Sequence, residues 1–313
     1  MERQSNIPVI CLVGATGTGK SAAGVALAAV CNGVVVNYDS RQVYRDFPII
    51  TAQPAREERA RCGHRLYGML SCMEKLSAGQ YAVMAAQEIE EVASGGHIPI
   101  LVGGTGLYLE ALLGGIAAIP PVPERIALHW QERCTNEGPH KLHELLRECD
   151  PALAARLHPH DSQRIIRGLE VYEATGKALS WWQMQPVPPS RYAPLQLGFA
   201  VELAALTPYL GERIERMLAA GAIAEAEAAL RICGDSAAPG WSGIGCAELY
   251  RYVLGEISLG ECKALWLKNT RAYAKRQNTW FRRDTTIRWF AAGDVQGMAG
   301  LAAHFVLTQK ARA

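Results

Sequence analysis

The stretch GATGTGKS, residues 14–21, sets two glycines and a Lys-Ser pair at the spacing of a phosphate-binding P-loop. Glycines let successive backbone N–H groups turn inward and approach phosphate oxygens. Lys20 adds a mobile positive charge, and the Ser21 hydroxyl suits a phosphate-bound Mg²⁺. Gly14, Ala15, Thr16, Gly17, Thr18, Gly19, Lys20 and Ser21 are therefore the expected phosphate-binding set. The pattern alone leaves open whose phosphates these are.

Asp39 closes the β-rich run GVVVNYDS, residues 33–40. A carboxylate at a strand end beside a P-loop can hold a metal through water or act as a general base. Ser40 and Gln42 could hydrogen-bond a planar edge such as adenine. The competing reading is an Asp-Ser turn that caps the next segment. The turn GGTG, residues 103–106, also opens a helix after a strand, so its amides and the Thr105 hydroxyl could meet an anion.

The third group is KNTRAYAKRQNTWFRRD, residues 268–284. From Lys263 to Arg288 there are eight Lys or Arg and one acid, Asp284. Lys268, Arg271 and Lys275 share one helical face, with Tyr273, Trp280 and Phe281 interleaved. Basic side chains neutralise backbone phosphates and aromatics stack on unpaired bases. An ordinary solvated helix with inward aromatics has the same pattern. Arg164 and Arg167 lie one turn apart in DSQRIIRGLEVYEATGK, residues 161–177.

The elements that must hold these residues read as follows. IPVICLV before the P-loop is a continuous apolar run, as for a buried parallel strand, and SAAGVALAA after it is helix-compatible. Residues 33–40 read as a further strand, 64–70 as a short one, 82–94 as a helix, and 98–115 as strand, Gly turn and helix. This alternation predicts an α/β fold: a P-loop NTPase-like parallel sheet with ligands at the strand C-termini. AAIPPVPER, residues 117–125, marks a boundary. A charged helical region, roughly 124–183, follows and ends in the proline cluster WWQMQPVPPSRYAP. LQLGFAVEL, residues 195–203, reads as a strand returning to the sheet, and 207–283 as helices. The division is thus 1–116 for the first part of the core, 117–193 for a helical insertion, and 194–313 for the return to the core and a helical C-terminal section.

Composition narrows the classes. The chain has 313 residues, 49% of them hydrophobic, so it can bury a sizeable core; its formal charge is only +2, so nucleic-acid affinity must come from local patches. No apolar run reaches membrane-spanning length, and the first apolar segment is too short for a signal peptide. Nine cysteines without a C-x-x-C pair suit free thiols in a reducing cytoplasm. His140 and His143 in HKLH read as a surface pair rather than a metal site.

In order and spacing, GATGTGKS, DSRQVY, PILVGGTGLYL, DSQRIIRGLEVYEATGK, GEISL and TRAYAKRQNTWFR together resemble the bacterial tRNA dimethylallyltransferases, over roughly residues 8–290. The resemblance implies transfer of a dimethylallyl group from dimethylallyl diphosphate to N6 of the adenosine just 3′ of the anticodon, with Mg²⁺ required. It makes the P-loop a diphosphate site. Lys20 would stabilise the departing diphosphate, Ser21 would meet Mg²⁺, and Arg213 matches a diphosphate-associated arginine. Asp39 would accept the N6 proton and Thr105 would hold substrate. The resemblance also sets Asp39, Ser40, Arg41 and Gln42 against the tRNA. Gln163, Arg164, Ile165, Ile166 and Arg167 would join them, as would Lys275, Arg276, Gln277, Trp280 and Arg282. The implied partners are a tRNA anticodon stem-loop and dimethylallyl diphosphate, with no membrane and no obligate protein partner. Departures are Tyr209 for an arginine, His64-Arg65-Leu66 for His-His-Leu, and Cys246-Ala247 within GIGCAELY. The runner-up reading is a P-loop small-molecule kinase, which leaves the basic aromatic helix unexplained.

Overall fold

The computed structural model describes residues 6–187 and 190–311; the first five residues and part of the second proline cluster lie outside them. The chain divides into two units, 1–114 with 190–313, and 115–189.

In the larger unit, β1 (Ile7–Val13) runs into the P-loop and α1 (Lys20–Cys31), and β2 (Gly33–Asn37) ends two residues before Asp39. After α2 (Arg56–Arg61) comes β3 (His64–Arg65), which is shorter than the expected 64–70 because Leu66 turns to φ +63. Then follow α3 (Ala78–Ser94), β4 (Ile98–Val102) and α4 (Gly106–Leu113). The smaller unit contains α5 (Glu124–Glu137), α6 (Pro139–Cys149), α7 (Pro151–Ala154), α8 (Ser162–Thr175) and α9 (Leu179–Gln183). The larger unit resumes with β5 (Tyr192–Ala200), α10 (Leu203–Ala219), α11 (Ala222–Ile232), a 3₁₀ turn (Pro239–Ser242) and α12 (Cys246–Val253). It closes with α13 (Leu259–Phe281), β6 (Arg288–Ala291) and α14 (Val295–Lys310). Residues 192 and 193, grouped by sequence with the insertion, already pair with β1.

The six strands form one sheet in the order β3-β2-β4-β1-β5-β6, every neighbour parallel. Alternate residues of β1 explain its unbroken apolar run. Val9, Cys11 and Val13 face a core shared with Tyr81, Ile89 and Leu109 of α3 and α4. Ile10 and Leu12 face the opposite core, with Leu27 of α1 and Met298 of α14. Both faces are covered, so neither can be polar. Each fully buried aliphatic side chain contributes about 1.5–3 kcal/mol. The chain leaves β1 toward β2 on one side and crosses from β4 to β5 on the other, so the strand order switches at β1, and the crevice at its C-terminal end is where α/β sheets bind ligands.

A further core joins the 43–50 segment to α11, α12 and α13 through Phe47, Ile50, Trp241 and Trp266. The smaller unit has its own core around Trp130, Leu142, Leu146 and Leu169. His143 belongs there, correcting its surface assignment: it is buried, with Nε2 3.1 Å from the Ala154 carbonyl. All nine cysteines are free, and among the described residues no helix is long and apolar enough to cross a membrane.

Candidate active site

The P-loop spans the gap between β1 and α1. Gly17 has φ +83, and a Cβ there would lie 2.7 Å from Leu210 Cδ2 of α10, so the position requires glycine twice over. The Thr18 hydroxyl and the Lys20 ammonium both donate to the Ala15 carbonyl, at 2.9 and 2.6 Å. Thr18 is therefore spent on the loop's shape. Ser21 is exposed in the first turn of α1. Burial pushes the Lys20 ammonium down to about 7; Asp39 opposes that shift and Arg213 adds to it.

Asp39 is held by its neighbours. Asn37, fully buried at the end of β2, accepts the Asp39 N–H at 2.8 Å and donates to the carbonyls of Asp39 and Leu66, at 3.1 and 2.9 Å. Asp39 Oδ1 accepts the Arg41 N–H at 2.8 Å; Oδ2 has no hydrogen bond among the described residues. The Asx turn and the candidate base are thus one residue, with its two oxygens divided between the roles. Ser40 donates its N–H to Thr105 Oγ1 at 2.9 Å, and that hydroxyl donates to Ser40 Oγ at 3.2 Å. The Thr105 hydroxyl thereby ties the start of α4 to the Asp39 turn.

Helix α13 packs onto both loops. Gln277 is 4% exposed, accepts the Thr16 N–H at 2.8 Å, and donates to the Gly104 carbonyl at 2.8 Å. A Cβ on Gly104 would sit 2.1 Å from Gln277 Nε2, so the glycine is a socket for that amide. This corrects one expectation. Gln277 is not a surface contact, since both ends of its amide are used inside the chain. The GGTG turn meets the side chain of Gln277 through its Gly104 carbonyl, while the Thr105 hydroxyl is engaged with Ser40. Trp280 is half-buried against Gly106, and Phe281 is 3% exposed in the core, so these aromatics face inward. Tyr273 borders a cavity beside Asp39, its phenol pushed up to about 12 by burial and by Asp39. Lys268, Arg271 and Lys275 remain exposed along the other face, Arg276 is exposed and lines the cavity that Tyr273 borders, and Arg282 pairs with Glu202 at 2.9 Å.

Two other expected substrate contacts are engaged within the chain. Gln42 Nε2 donates to the carbonyls of Thr51 and Ala52, at 3.0 and 2.7 Å, which removes its donors from base reading. Arg41 donates to the Pro239 carbonyl and Ser242 Oγ, at 3.2 and 2.8 Å. In the smaller unit, Gln163, Arg164 and Arg167 are on the open side of α8, while Ile165 is fully buried in that unit's core and Ile166 is half-buried against it. Helical periodicity divides the motif between surface and interior.

Two adjoining cavities meet at Asp39. One, about 470 Å³, is bounded by the P-loop, Lys20, Ser21, Arg213 and Arg216. The other, about 290 Å³, has an apolar and aromatic part formed by Ile50, Leu210, Ile214, Met217, Ile244, Trp266 and Tyr273, and a polar part that includes Ser40, Arg41, Ser242, Thr270 and Arg276. Thr16, Asp39, Thr51 and Arg213 border both. The first presents the P-loop amides and Lys20; the second, the apolar cavity, adds apolar and aromatic surface that the first lacks. Burial lowers the Arg213 guanidinium from its usual range, against the pull of Asp39, and no ion pair engages it among the described residues. Sequence reasoning missed Asn37, Thr51, Arg216 and the apolar wall; Arg216 follows Arg213 by one turn, a spacing that was legible.

The IPP transferase family model matches residues 42–284. The tRNA dimethylallyltransferase of Oleidesulfovibrio alaskensis is 59% identical over 295 residues, covering 94% of this chain and 97% of that protein. That of Nitratidesulfovibrio vulgaris strain DP4 is 55% identical over 291 residues, 93% of this chain and 94% of that one. Among solved structures, the tRNA isopentenylpyrophosphate transferase of Bacillus halodurans is similar with TM-score 0.71 and 30% identity, over 97% of this chain and 98% of that one. A eukaryotic dimethylallyltransferase acting on tRNA is similar with TM-score 0.79 and 28% identity, over 93% of this chain and 75% of that chain.

Proposed function

This chain belongs to the IPP transferase family, and we infer from the paired cavities how it works as a tRNA dimethylallyltransferase. It transfers a prenyl group to tRNA. The donor is dimethylallyl diphosphate, and the acceptor is N6 of the adenosine 3′ of the anticodon, presented by the anticodon stem-loop. The observation that carries this assignment of parts is the position of Asp39 on the border between a cationic and an apolar cavity.

The diphosphate lies in the P-loop cavity, where loop amides, Lys20 and Arg213 meet the charge that develops on the leaving group. The dimethylallyl carbons and the acceptor base lie in the apolar cavity, whose walls keep water from the allylic centre. A base in a tRNA loop must leave its stack to reach such a cavity. As the N6 nitrogen attacks the allylic carbon, the carbon–oxygen bond to diphosphate breaks and Asp39 Oδ2 takes the N6 proton. Asn37 and Thr105 aim the Asp39 turn; Oδ1, committed to Arg41, leaves Oδ2 for the proton.

Among the described residues no three His, Cys, Asp or Glu side chains converge as a metal cage. The Ser21 hydroxyl at the P-loop cavity is a donor suited to Mg²⁺ shared with substrate phosphates, since Mg²⁺ keeps several waters and needs few protein ligands. When bound there, the ion supplies further charge neutralisation of the diphosphate. Gln163, Arg164 and Arg167 of the smaller unit, with Lys275 and Arg276, are the expected backbone contacts to tRNA.

The test incubates the protein with Mg²⁺, unmodified tRNA and dimethylallyl diphosphate, then digests the tRNA for nucleoside mass spectrometry. Dimethylallyl-adenosine formed without ATP, and suppressed by inorganic pyrophosphate, is the expected result. A strict need for ATP hydrolysis would overturn the assignment.

A further inference from the structure

Part of the apolar cavity's lining lies in the 43–52 turn segment, outside any regular element. Ile50 and Thr51 lie in the turn after Phe47, and this turn is held from two sides. From α11, the Glu225 carboxylate accepts two successive backbone N–H groups, Ile49 on Oε2 at 2.7 Å and Ile50 on Oε1 at 2.8 Å. From the Asp39 side, Gln42 Nε2 donates to the Thr51 and Ala52 carbonyls. Ala52 adopts φ +54, which a non-glycine residue holds only where its surroundings impose it.

Glu225 has no ion pair among the described residues, and burial pushes its carboxyl up from the usual range. Partial burial of a carboxylate without a cation costs stability, which its two backbone hydrogen bonds offset. What those bonds position is the boundary of the site. Ile50 is 3% exposed, packs against Gly245 and Trp266, and borders the apolar cavity; Thr51 borders both cavities. At about 290 Å³ the apolar cavity is at the low end for small-molecule sites, which run roughly 300–1,000 Å³.

We propose that Glu225 is a positioning residue: it fixes the Ile50–Thr51 wall and thereby limits the prenyl chain admitted to the dimethylallyl unit. The proposal rests on the prenyl-transfer reading above. Replacing the carboxylate by an amide sets an NH₂ group against one of the two N–H donors, so the turn loses one anchor and the wall can recede. Truncating Ile50 enlarges the same wall directly.

Wild type, Glu225→Gln and Ile50→Ala are assayed with Mg²⁺ and tRNA, using dimethylallyl diphosphate and geranyl diphosphate in turn. The readout is the ratio of kcat/KM for geranyl over dimethylallyl. Both substitutions are expected to raise that ratio roughly tenfold or more, the scale on which apolar pockets discriminate by size. The double variant should show less than the product of the two effects, because they act on one wall. An unchanged ratio in Glu225→Gln, with both substrates slowed equally, overturns the proposal and makes Glu225 a stability residue only. Should Glu225→Gln not fold, Glu225→Asp decides by the same ratio, since its shorter carboxylate cannot reach both amides. A wild type that fails on dimethylallyl diphosphate would refute the prenyl-transfer reading itself. Activity on dimethylallyl diphosphate with invariant ratios refutes the wall alone.

Discussion

The Thr105 hydroxyl accepts the Ser40 N–H at 2.9 Å, joining two turns 65 residues apart in the chain. It does so at the residue that follows Asp39, so the orientation of the candidate base depends on a side chain from another strand–helix turn. Thr105→Val keeps the shape and deletes the acceptor. Leaving a fully buried donor unpaired costs about 1–3 kcal/mol, and the part-buried Ser40 N–H should cost less. Single-turnover transfer should fall about tenfold or more in Thr105→Val and be largely restored in Thr105→Ser, with tRNA affinity unchanged in both.

Asp39→Asn retains the turn to Arg41 but cannot take the N6 proton. Loss of a general base typically slows the chemical step about 10²–10⁴-fold. Rapid-quench assays at saturating tRNA should show that loss with near-normal tRNA binding. Wild-type rates would remove Asp39 from proton transfer.

Lys20 titrates near 7 in the folded chain, well below a free lysine, chiefly because it is buried. Below about 7 the ammonium is charged in both folded and unfolded states, and its burial cost is fully present. As pH rises from about 7 toward the ordinary lysine range, the folded side chain is neutral while the unfolded one still binds a proton, so this cost is progressively relieved. Lys20→Met should therefore raise Tm more at pH 6.5 than at pH 9. A bound diphosphate favours the ammonium, so binding above pH 7 should take up a proton that Lys20→Met does not. Calorimetry of pyrophosphate binding at pH 8, in buffers of different ionisation enthalpy, reads this difference directly.

Gln277→Ala deletes the bonds to Thr16 and Gly104 and opens space between α13 and the P-loop. Chemical denaturation should show a loss of about 1–3 kcal/mol. Gln277→Glu keeps an acceptor for Thr16 but turns a carboxylate oxygen toward the Gly104 carbonyl, and it brings negative charge to the diphosphate site. Its inhibition constant for pyrophosphate should rise relative to Gln277→Ala; equal constants would mean that Gln277 is remote from the bound anion.

Arg271, Lys275 and Arg276 are exposed on α13. Replacing all three with alanine should weaken tRNA binding and reduce the log–log salt slope by roughly 0.7–0.9 for each tRNA phosphate that is no longer neutralised. An unchanged slope would mean that this face does not meet the tRNA backbone.

Helix α13 marks the limit of what motif reading reveals. Its basic residues and its aromatics were legible as a pattern, and the exposed cations follow from it. Gln277, Trp280 and Phe281 lie in the same motif yet turn inward, because the helix seats one flank on the P-loop and the GGTG turn. Ile165 in α8 is a similar case: its sequence neighbours Gln163, Arg164 and Arg167 are on the open side, but Ile165 itself, four residues before Leu169, is on the stripe that fills the smaller unit's core.

Local chemistry and periodicity were sufficient for the P-loop, the buried strands, the helical insertion and the Asp39 turn. Each depends on residues close in sequence: glycines at a fixed spacing, an apolar run covered on two faces, a carboxylate at a strand end. Only the tertiary structure decided what aims that carboxylate, what grips the P-loop and what bounds the apolar cavity. Those roles fall to Asn37 with Thr105, to Gln277, and to Glu225 beneath the Ile50–Thr51 wall. Each acts through hydrogen bonds to distant segments. Such bonds are set by strand order and helix packing, because a side chain's partner is whatever the fold brings within about 3 Å of it.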